Sequence, residues 1–362
     1  MSKNIFLNAR VADKTGYTPV VFDLAKSADK LSLKKLLSKK IGVEVVDEFY
    51  EQEKELFLAR HPSRLLSGYD DKDFWKGQDA SSGVWVYFPW KKIIVHCLAS
   101  SEYNELRLAR NLNLIEADEM KKYKTLKIGI AGLNVGNPGA VCLALSGVGN
   151  LFKLADIDAL SVSNLNRFRA GLCDLGVNKA VLSARQIAEI NPFVKFKVYE
   201  DGINEKNLQN FLLKPKLDVI LEETDNLKLK VRIREEARKN KIPVIMVTGS
   251  GENVIIDIER FDIDDNPPIL NGYLSGEVQE KIKTGVKTVE EKIILARDFM
   301  GSEYLHPRLV SSFAQVGRTL AGIPQLAESS FLRGAALCYF VRRVVDNKIS
   351  SGRFHLRLSD IK

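Results

Sequence analysis

Cysteine is scarce in this 362-residue chain and never paired in sequence: Cys97, Cys142, Cys173 and Cys338 stand far apart, with no Cys-x-x-Cys. That pattern argues against a paired-cysteine zinc site and against a disulfide framework, and it favours a reducing cytoplasm. No run of about 18 apolar residues occurs, so no membrane span is expected. The N-terminal stretch Met1–Phe6 lacks an apolar signal segment. Internal repeats and low-complexity tracts are absent too, which removes solenoid and disordered-tail classes.

What is present suits a large core. Hydrophobic residues make up 45% and charged residues 28%, and the length suggests two domains or one large domain with an extension. The net charge is +8. It fits either attraction to nucleic acid or an acidic substrate, or simply a lysine-rich surface. The lysines come as short groups (Lys34 and Lys35, Lys39 and Lys40, Lys91 and Lys92, Lys121 and Lys122) without interleaved aromatics, unlike an RNA-binding module.

Residues 1–100 read as a small α+β domain. Val45, Val46, Phe49, Leu56 and Phe57 recur at helical spacing, which predicts an amphipathic helix ending near His61 and Pro62. Val84–Phe88 and Lys92–His96 read as a hairpin around Pro89 and Trp90. Trp75, Trp85 and Trp90 suit core packing or a ligand surface. A second helix is expected over 102–122. Residues 101–362 then form the main domain. Lys127–Ala131 and Leu151–Ala155 read as buried strands, and Pro138 marks a helix start with Asn137 as its cap. A helix over 178–190 follows, then strands at Leu217–Leu221 and Pro243–Val247 with a helix between them. Asn253–Phe261 reads as an added strand, 262–305 as a polar insertion or lid, and 325–346 as an apolar helix. This alternation predicts an α/β fold: a Rossmann-like, mostly parallel sheet with helices on both faces. Ligands of such sheets lie beyond the carboxyl ends of the strands.

The residues at those ends carry the chemistry. Gly132 and Gly136 lie in a strand–turn–helix that aims backbone N–H groups at a phosphate, although the spacing is not Gly-x-Gly-x-x-Gly. Asp156 ends the second strand, where a carboxylate accepts hydrogen bonds from a ribose. These two features fit NAD and ATP equally. Beyond them runs an ordered series: Asp156 and Asp158, then Ser163-Asn164-Leu165-Asn166-Arg167, then Gly176 and Lys179, then Asn191-Pro192, then Thr224-Asp225-Asn226.

This series resembles the ThiF/MoeB/HesA family, the adenylating superfamily that includes ubiquitin-activating enzymes. The resemblance covers about 105–260 and extends weakly to 320–346. It implies ATP and Mg²⁺ as cofactors. Asp156 would hold the ribose, Asn164 and Arg167 the phosphates, Lys179 the charge on the α-phosphate, and Asp225 the Mg²⁺. Gly132, Asn134, Gly136 and Asp158 complete the implied nucleotide contacts. The catalytic set is then Arg167, Lys179, Asp225 and Arg110, the last as an arginine reaching into a partner subunit's site, with Arg107 as a fallback. The resemblance also implies a homodimer.

The chain departs from the family in places. Counted back from Pro138, Ala131, Leu133, Asn134 and Gly136 occupy the four glycine positions of the family's turn, and Leu133 would crowd a phosphate. Residues 226–337 contain no cysteine, so thioester transfer there is not expected. Cys173 lies between Arg167 and Lys179 and reads as an inert loop cysteine or a thiol activated by Arg169 or Lys179. The expected activity is ATP- and Mg²⁺-dependent adenylation of a carboxylate, on a peptide, a small protein or a modified tRNA nucleoside, without a cysteine relay. Relatives lacking these cysteines modify peptides or cyclise a nucleoside carboxylate. Alternatives are a non-catalytic dimeric binding protein with a degenerate loop, or an NAD-dependent oxidoreductase. The 1–100 domain is a candidate for clamping a peptide by strand addition.

Overall fold

The computed structural model describes residues 16–38, 42–75, 77, 81–264, 266–274, 276–285 and 288–361. Met1–Phe6 and the pair Lys39 and Lys40, noted above, lie outside them. The chain divides between Arg110 and Asn111 into two compact units.

The first unit runs β1 (Val20–Phe22), α1 (Ser27–Ser38), β2 (Glu44–Asp47), α2 (Phe49–Arg60), α3 (Arg64–Ser67), β3 (Val84–Phe88), β4 (Ile93–Cys97) and α4 (Ser100–Arg107). Its sheet has the order β1-β3-β4-β2. The expected hairpin is β3–β4, with Val84 opposite Cys97 and Phe88 opposite Ile93. The helix expected from Val45 onward is shorter than its pattern. Val45 and Val46 lie in β2, paired in parallel with Ile94 and Val95, and the helix begins at Phe49. Two adjacent β-branched residues favour the pleated partner over a helical turn. Inside, His96 is sandwiched between the rings of Phe49 at 4.1 Å and Trp85 at 4.3 Å. Its nitrogens face Asp47 Oδ1 at 2.9 Å and the Ser82 carbonyl at 2.8 Å. Trp75 packs beside Phe49, Leu56 and Leu98, and Trp90 meets Phe88 edge-on. The tryptophans therefore serve packing.

The helix expected over 102–122 is broken. α4 stops at Arg107, Asn113 takes φ +69°, and α5 (Ala117–Tyr123) starts afresh. The second unit continues with β5 (Lys127–Ala131), α6 (Leu133–Leu145), β6 (Leu151–Ala155), α7 (Lys179–Ile190), β7 (Lys195–Tyr199), α8 (Leu208–Leu213), β8 (Val219–Glu222), α9 (Leu227–Lys239), β9 (Val244–Ser250) and β10 (Asn253–Glu259). After these come α10 (Gly276–Thr284), α11 (Val289–Met300), α12 (Pro307–Phe313), α13 (Ala327–Val345) and β11 (Gly352–Leu356). The sheet order is β11-β10-β9-β8-β5-β6-β7. β5 to β9 are parallel, and β10 and β11 are antiparallel. All four residues of β8 are buried, as a strand covered on both faces requires. This is the expected Rossmann-like sheet, with β7, β10 and β11 fixing its width.

From β5 the chain lays β6 and β7 on one side and β8 and β9 on the other. The carboxyl ends of β5, β6 and β8 meet at that reversal, in the register Ala131–Ala155 and Ala131–Glu222. Ligands of such sheets bind in the crevice outside that point.

Two expectations fail in this unit. α6 begins at Leu133, capped by Gly132, and holds Pro138 inside it. Asn137 is not its cap but donates to Ser183 Oγ at 2.9 Å and Gln186 Oε1 at 2.7 Å. Pro138 has room because Gly334 of α13 faces it; a Cβ on Gly334 would stand 2.8 Å from Pro138. Residues 262–305 are likewise no solvent lid. Ile269, Leu270, Leu274, Ile282, Leu295 and Phe299 pack with Val231, Met246 and Ile255 into one apolar cluster, so this segment completes the core over that end of the sheet.

A buried ion network links β8 to α9 and β10. Glu222 pairs with Lys230 at 3.1 Å and with Arg234, whose Nε reaches Glu259 at 2.6 Å. Burial alone would raise Glu222, but Lys230 and Arg234 hold its carboxyl down at about 2.

Candidate functional site

The turn after β5 is built from hydrogen bonds and one obligatory glycine. Gly132 has φ +88°, and a Cβ there would lie 2.4 Å from the Glu223 carbonyl oxygen and 2.8 Å from Thr224 N. Only glycine lets the turn pass this close to the end of β8. Its N–H donates to the Ala155 carbonyl at 2.9 Å. Asp156 then ties the turn to β6: Leu133 N–H donates to Oδ2 at 2.6 Å and Asp158 N–H to Oδ1 at 2.8 Å. Burial pushes the Asp156 carboxyl up against those bonds. Each of its oxygens keeps a second lone pair for a ribose hydroxyl.

The Leu133 side chain is wholly buried. Gly136 N–H closes the first helical bond on Gly132 at 3.1 Å. The amides of Asn134 and Val135 stand in the first turn, where no carbonyl one turn back is available. Asn134 Oδ1 is buried with no hydrogen-bond partner among the described residues.

Three cations converge on this end of the sheet. Lys179 opens α7, whose cap is Asn178. It is buried, and its Nζ pairs with Asp158 Oδ2 at 3.1 Å. Arg167 donates through Nη1 to the Ser163 carbonyl and to Asn166 Oδ1, both at 2.8 Å, while its Nε has no partner among the described residues. Burial lowers the Arg167 guanidinium and the field of Asp225 opposes this. Asn164, expected on a phosphate, is buried and accepts from Ser161 N–H and Oγ, both at 3.1 Å; its oxygen holds the Arg167 loop together.

The third cation escaped sequence reasoning. Arg333 of α13 is 3% exposed and donates to the Ser329 carbonyl at 3.3 Å and to Gln325 Oε1 at 3.4 Å. Its Cζ lies 3.5 Å from where a Cβ of Gly249 would stand. Burial lowers it to about 10, while the fields of Glu223 and Asp225 raise it. Glu223, also missed, is buried beside Gly132 and Gly136 and accepts from Val247 N–H at 2.9 Å. Burial holds its carboxyl well above the usual range.

Asp225 is exposed beyond β8. Among the described residues no cluster of three His, Cys, Asp or Glu could cage a metal. A single exposed carboxylate suits Mg²⁺ shared with phosphate oxygens. Arg110 is exposed on the 3-10 turn Ala109–Asn111 that ends the first unit, and Arg107 lies 6.0 Å from the Tyr103 ring. Cys173 is exposed. The cations considered for activating it are engaged elsewhere, Arg169 over Phe331 and Lys179 on Asp158. None of the described helices is long and apolar enough to cross a membrane.

Residues 108–254 match the model of the ThiF family. The chain is 33% identical over 319 residues to an uncharacterized protein of Mycobacterium tuberculosis, covering 88% of this chain and 42% of that one. It is 28% identical over 168 residues to the molybdopterin-synthase adenylyltransferase of Haemophilus influenzae (46% and 66% covered). It is also 28% identical over 202 residues to the tRNA threonylcarbamoyladenosine dehydratase of Bacillus subtilis (53% and 78%). The chain thus spans less than half of the first relative and just under two thirds of the second. Among solved structures, PaaA superposes with a TM-score of 0.50 at 22% identity over 87% of this chain and 94% of that one. TcdA (CsdL) gives 0.50 at 19% identity over 69% and 98%. Both share the fold.

Proposed function

This chain carries a ThiF-family domain, and we propose that it uses that domain to adenylate a carboxylate with ATP and Mg²⁺. What supports this reading is that Arg167 and Arg333 lie in the field of the exposed Asp225, with Lys179 held on Asp158 at the end of β6. Three cations and one free carboxylate suit a triphosphate and its metal better than a dinucleotide, whose pyrophosphate carries less charge. The unpartnered Arg167 Nε and Asn134 Oδ1 suit a polar ligand that completes them.

In this reading Asp156 and the first turn of α6 hold the ribose and phosphates. Asp225 would hold Mg²⁺, which would supply charge neutralisation beside the phosphates. Lys179 turns from Asp158 toward the α-phosphate. A substrate carboxylate oxygen attacks the α-phosphorus, and pyrophosphate leaves. Arg167 and Arg333 stabilise the charge that builds on the phosphoryl oxygens, so the chemistry is positioning and electrostatics. The adenylate passes to an external amine, amide or thiol, since no cysteine stands at the relay position. Arg110 would complete the site of a second copy in a homodimer.

The substrate carboxylate belongs to a peptide or to a modified tRNA nucleoside. Two relatives bracket that choice by name, a molybdopterin-synthase adenylyltransferase and a tRNA threonylcarbamoyladenosine dehydratase. The first unit favours the peptide: β1 and β2 are its sheet edges, and edge strands accept an added strand. ATP–pyrophosphate exchange with synthetic peptides and with bulk tRNA tests the proposal. Exchange that requires one of these carboxylates supports it. Bound ATP without exchange on either class would overturn it in favour of a non-catalytic binding protein.

A further inference from the structure

Away from the crevice, the face shared by α6 and α13 holds two cysteines that no step above uses. The helices touch at small residues. Gly139 meets Leu337, where a Cβ would come within 2.5 Å, and Gly334 meets Pro138 at 2.8 Å. One turn farther along each helix stand Cys142 and Cys338. Pro138 with Gly334, then Cys142 with Cys338, are steps of four on both helices, so the helices run side by side in the same direction and bring the two cysteines together. Cys338 is buried, and its Sγ lies 3.4 Å from Ser146 Oγ and 3.8 Å from the Cys142 carbonyl. Cys142 is only partly covered.

Cys142 is reached from outside through an open groove of about 790 Å³, lined by Val141, Leu145, Phe331 and Leu332, with Arg169 and Glu328 as its charged residues. The Arg169 guanidinium stacks 4.2 Å over the Phe331 ring at this groove, and its Nη1 has no hydrogen-bond partner among the described residues. A cation beside an accessible thiol, with a second thiol behind it, is the arrangement of a redox dithiol.

We propose that Cys142 and Cys338 form a reversible oxidation site for anionic low-molecular-weight disulfides, with Arg169 receiving the incoming carboxylate. The Cys142 thiolate attacks one sulfur of the disulfide, forming a mixed disulfide and expelling one thiolate. The Cys338 sulfur then attacks Cys142 Sγ, its proton leaves with the second low-molecular-weight thiol, and the intramolecular disulfide closes. The protein loses two electrons and the small disulfide gains them. The environment favours this order. The hydrogen bond from Cys338, with help from Arg169, lowers Cys142 to about 7, while that same bond and burial push Cys338 far up. Cys142 is the attacking thiol and Cys338 the resolving one. Closure pins α13, which carries Arg333, against α6, which begins at the Gly132 turn.

The test uses the full chain bearing Cys173→Ser, which removes the exposed competitor. The protein is incubated with oxidised glutathione and mapped by mass spectrometry of peptides. The expected result is a Cys142–Cys338 cross-link that dithiothreitol reverses, with release of two glutathiones per chain. Cys338→Ser should instead stop at a stable glutathione adduct on Cys142, and Arg169→Gln should slow the first step by about tenfold, equivalent to ~1.4 kcal/mol. A persistent adduct on Cys142 with Cys338 intact, or no reaction at Cys142 while the protein stays folded, would overturn the proposal. These readouts need no ATP, so they stand apart from the adenylation test.

Discussion

Replacing Gly132 by alanine probes the hinge on which the site depends. The added Cβ would stand 2.4 Å from the Glu223 carbonyl oxygen, 2.6 Å from its carbon and 2.8 Å from Thr224 N. All three are backbone atoms, so no side-chain rotation relieves the clash. Forcing φ +88° on a residue with a Cβ costs about 1–3 kcal/mol, and wedging a methyl into a packed site costs about 1–3 kcal/mol more. The sum, about 2–6 kcal/mol, is a large share of a typical domain's stability of ~5–15 kcal/mol. Gly136→Ala is the control. Its Cβ would meet the Ile130 Cγ2 methyl at 2.5 Å and Glu223 Cγ at 3.8 Å, side-chain atoms at an ordinary helical φ, so an overpacking cost of about 1–3 kcal/mol is partly offset by about 1 kcal/mol of helix propensity. Urea unfolding of both variants at one protein concentration reads the difference. The expected order is wild type, then Gly136→Ala, with Gly132→Ala lowest. The clash also pushes Thr224 and Asp225 away from the turn, so ATP affinity should fall at least tenfold in Gly132→Ala. A Gly132→Ala protein with an unchanged urea midpoint and unchanged ATP affinity would refute the account of the turn.

Arg333→Met should keep the fold, since it exchanges a buried cation for an apolar chain of similar length, yet weaken ATP binding by roughly tenfold, about 1.4 kcal/mol; equilibrium binding measures it, and unchanged affinity would remove Arg333 from the site. Arg234→Met should cost about 3–5 kcal/mol in urea unfolding, because it leaves Glu222 and Glu259 buried without their shared partner. Alkylation of Cys142 by iodoacetamide should accelerate as pH rises through about 7 and then level off. The same lowered folded-state value means that the thiolate's contribution to stability is present above the ordinary thiol range near 9 and is lost as pH falls through about 7.

Where short-range pattern and long-range packing agreed, the sequence was readable. β5 and β6 are largely apolar runs bounded by turns, and both stand at the expected residues. The helix over 178–190 and the β3–β4 hairpin carry strong local signals and were equally legible. Val45 and Val46 were misread because two β-branched residues satisfy a helical face as well as a strand, and only the pairing with β4 decides between them. Pro138 misled for a related reason: its tolerance inside α6 depends on Gly334, almost 200 residues away. Asn137 was read by residue type as a cap, yet its amide is held by Ser183 and Gln186. The polar composition of 262–305 hid apolar residues that join the core cluster, from Ile269 to Leu305. Arg333 carried one available signal, a lone cation within the apolar run from Phe331 to Val341. A charge there must face a partner or a ligand.

Calorimetric titration with ATP and Mg²⁺, set against titration with NAD, tests the central claim most directly. The account predicts that the wild-type chain binds ATP, that Asp225→Ala binds it at least tenfold more weakly in the presence of Mg²⁺, and that NAD does not bind. Binding of NAD, or no binding of ATP by folded wild-type protein, would contradict it.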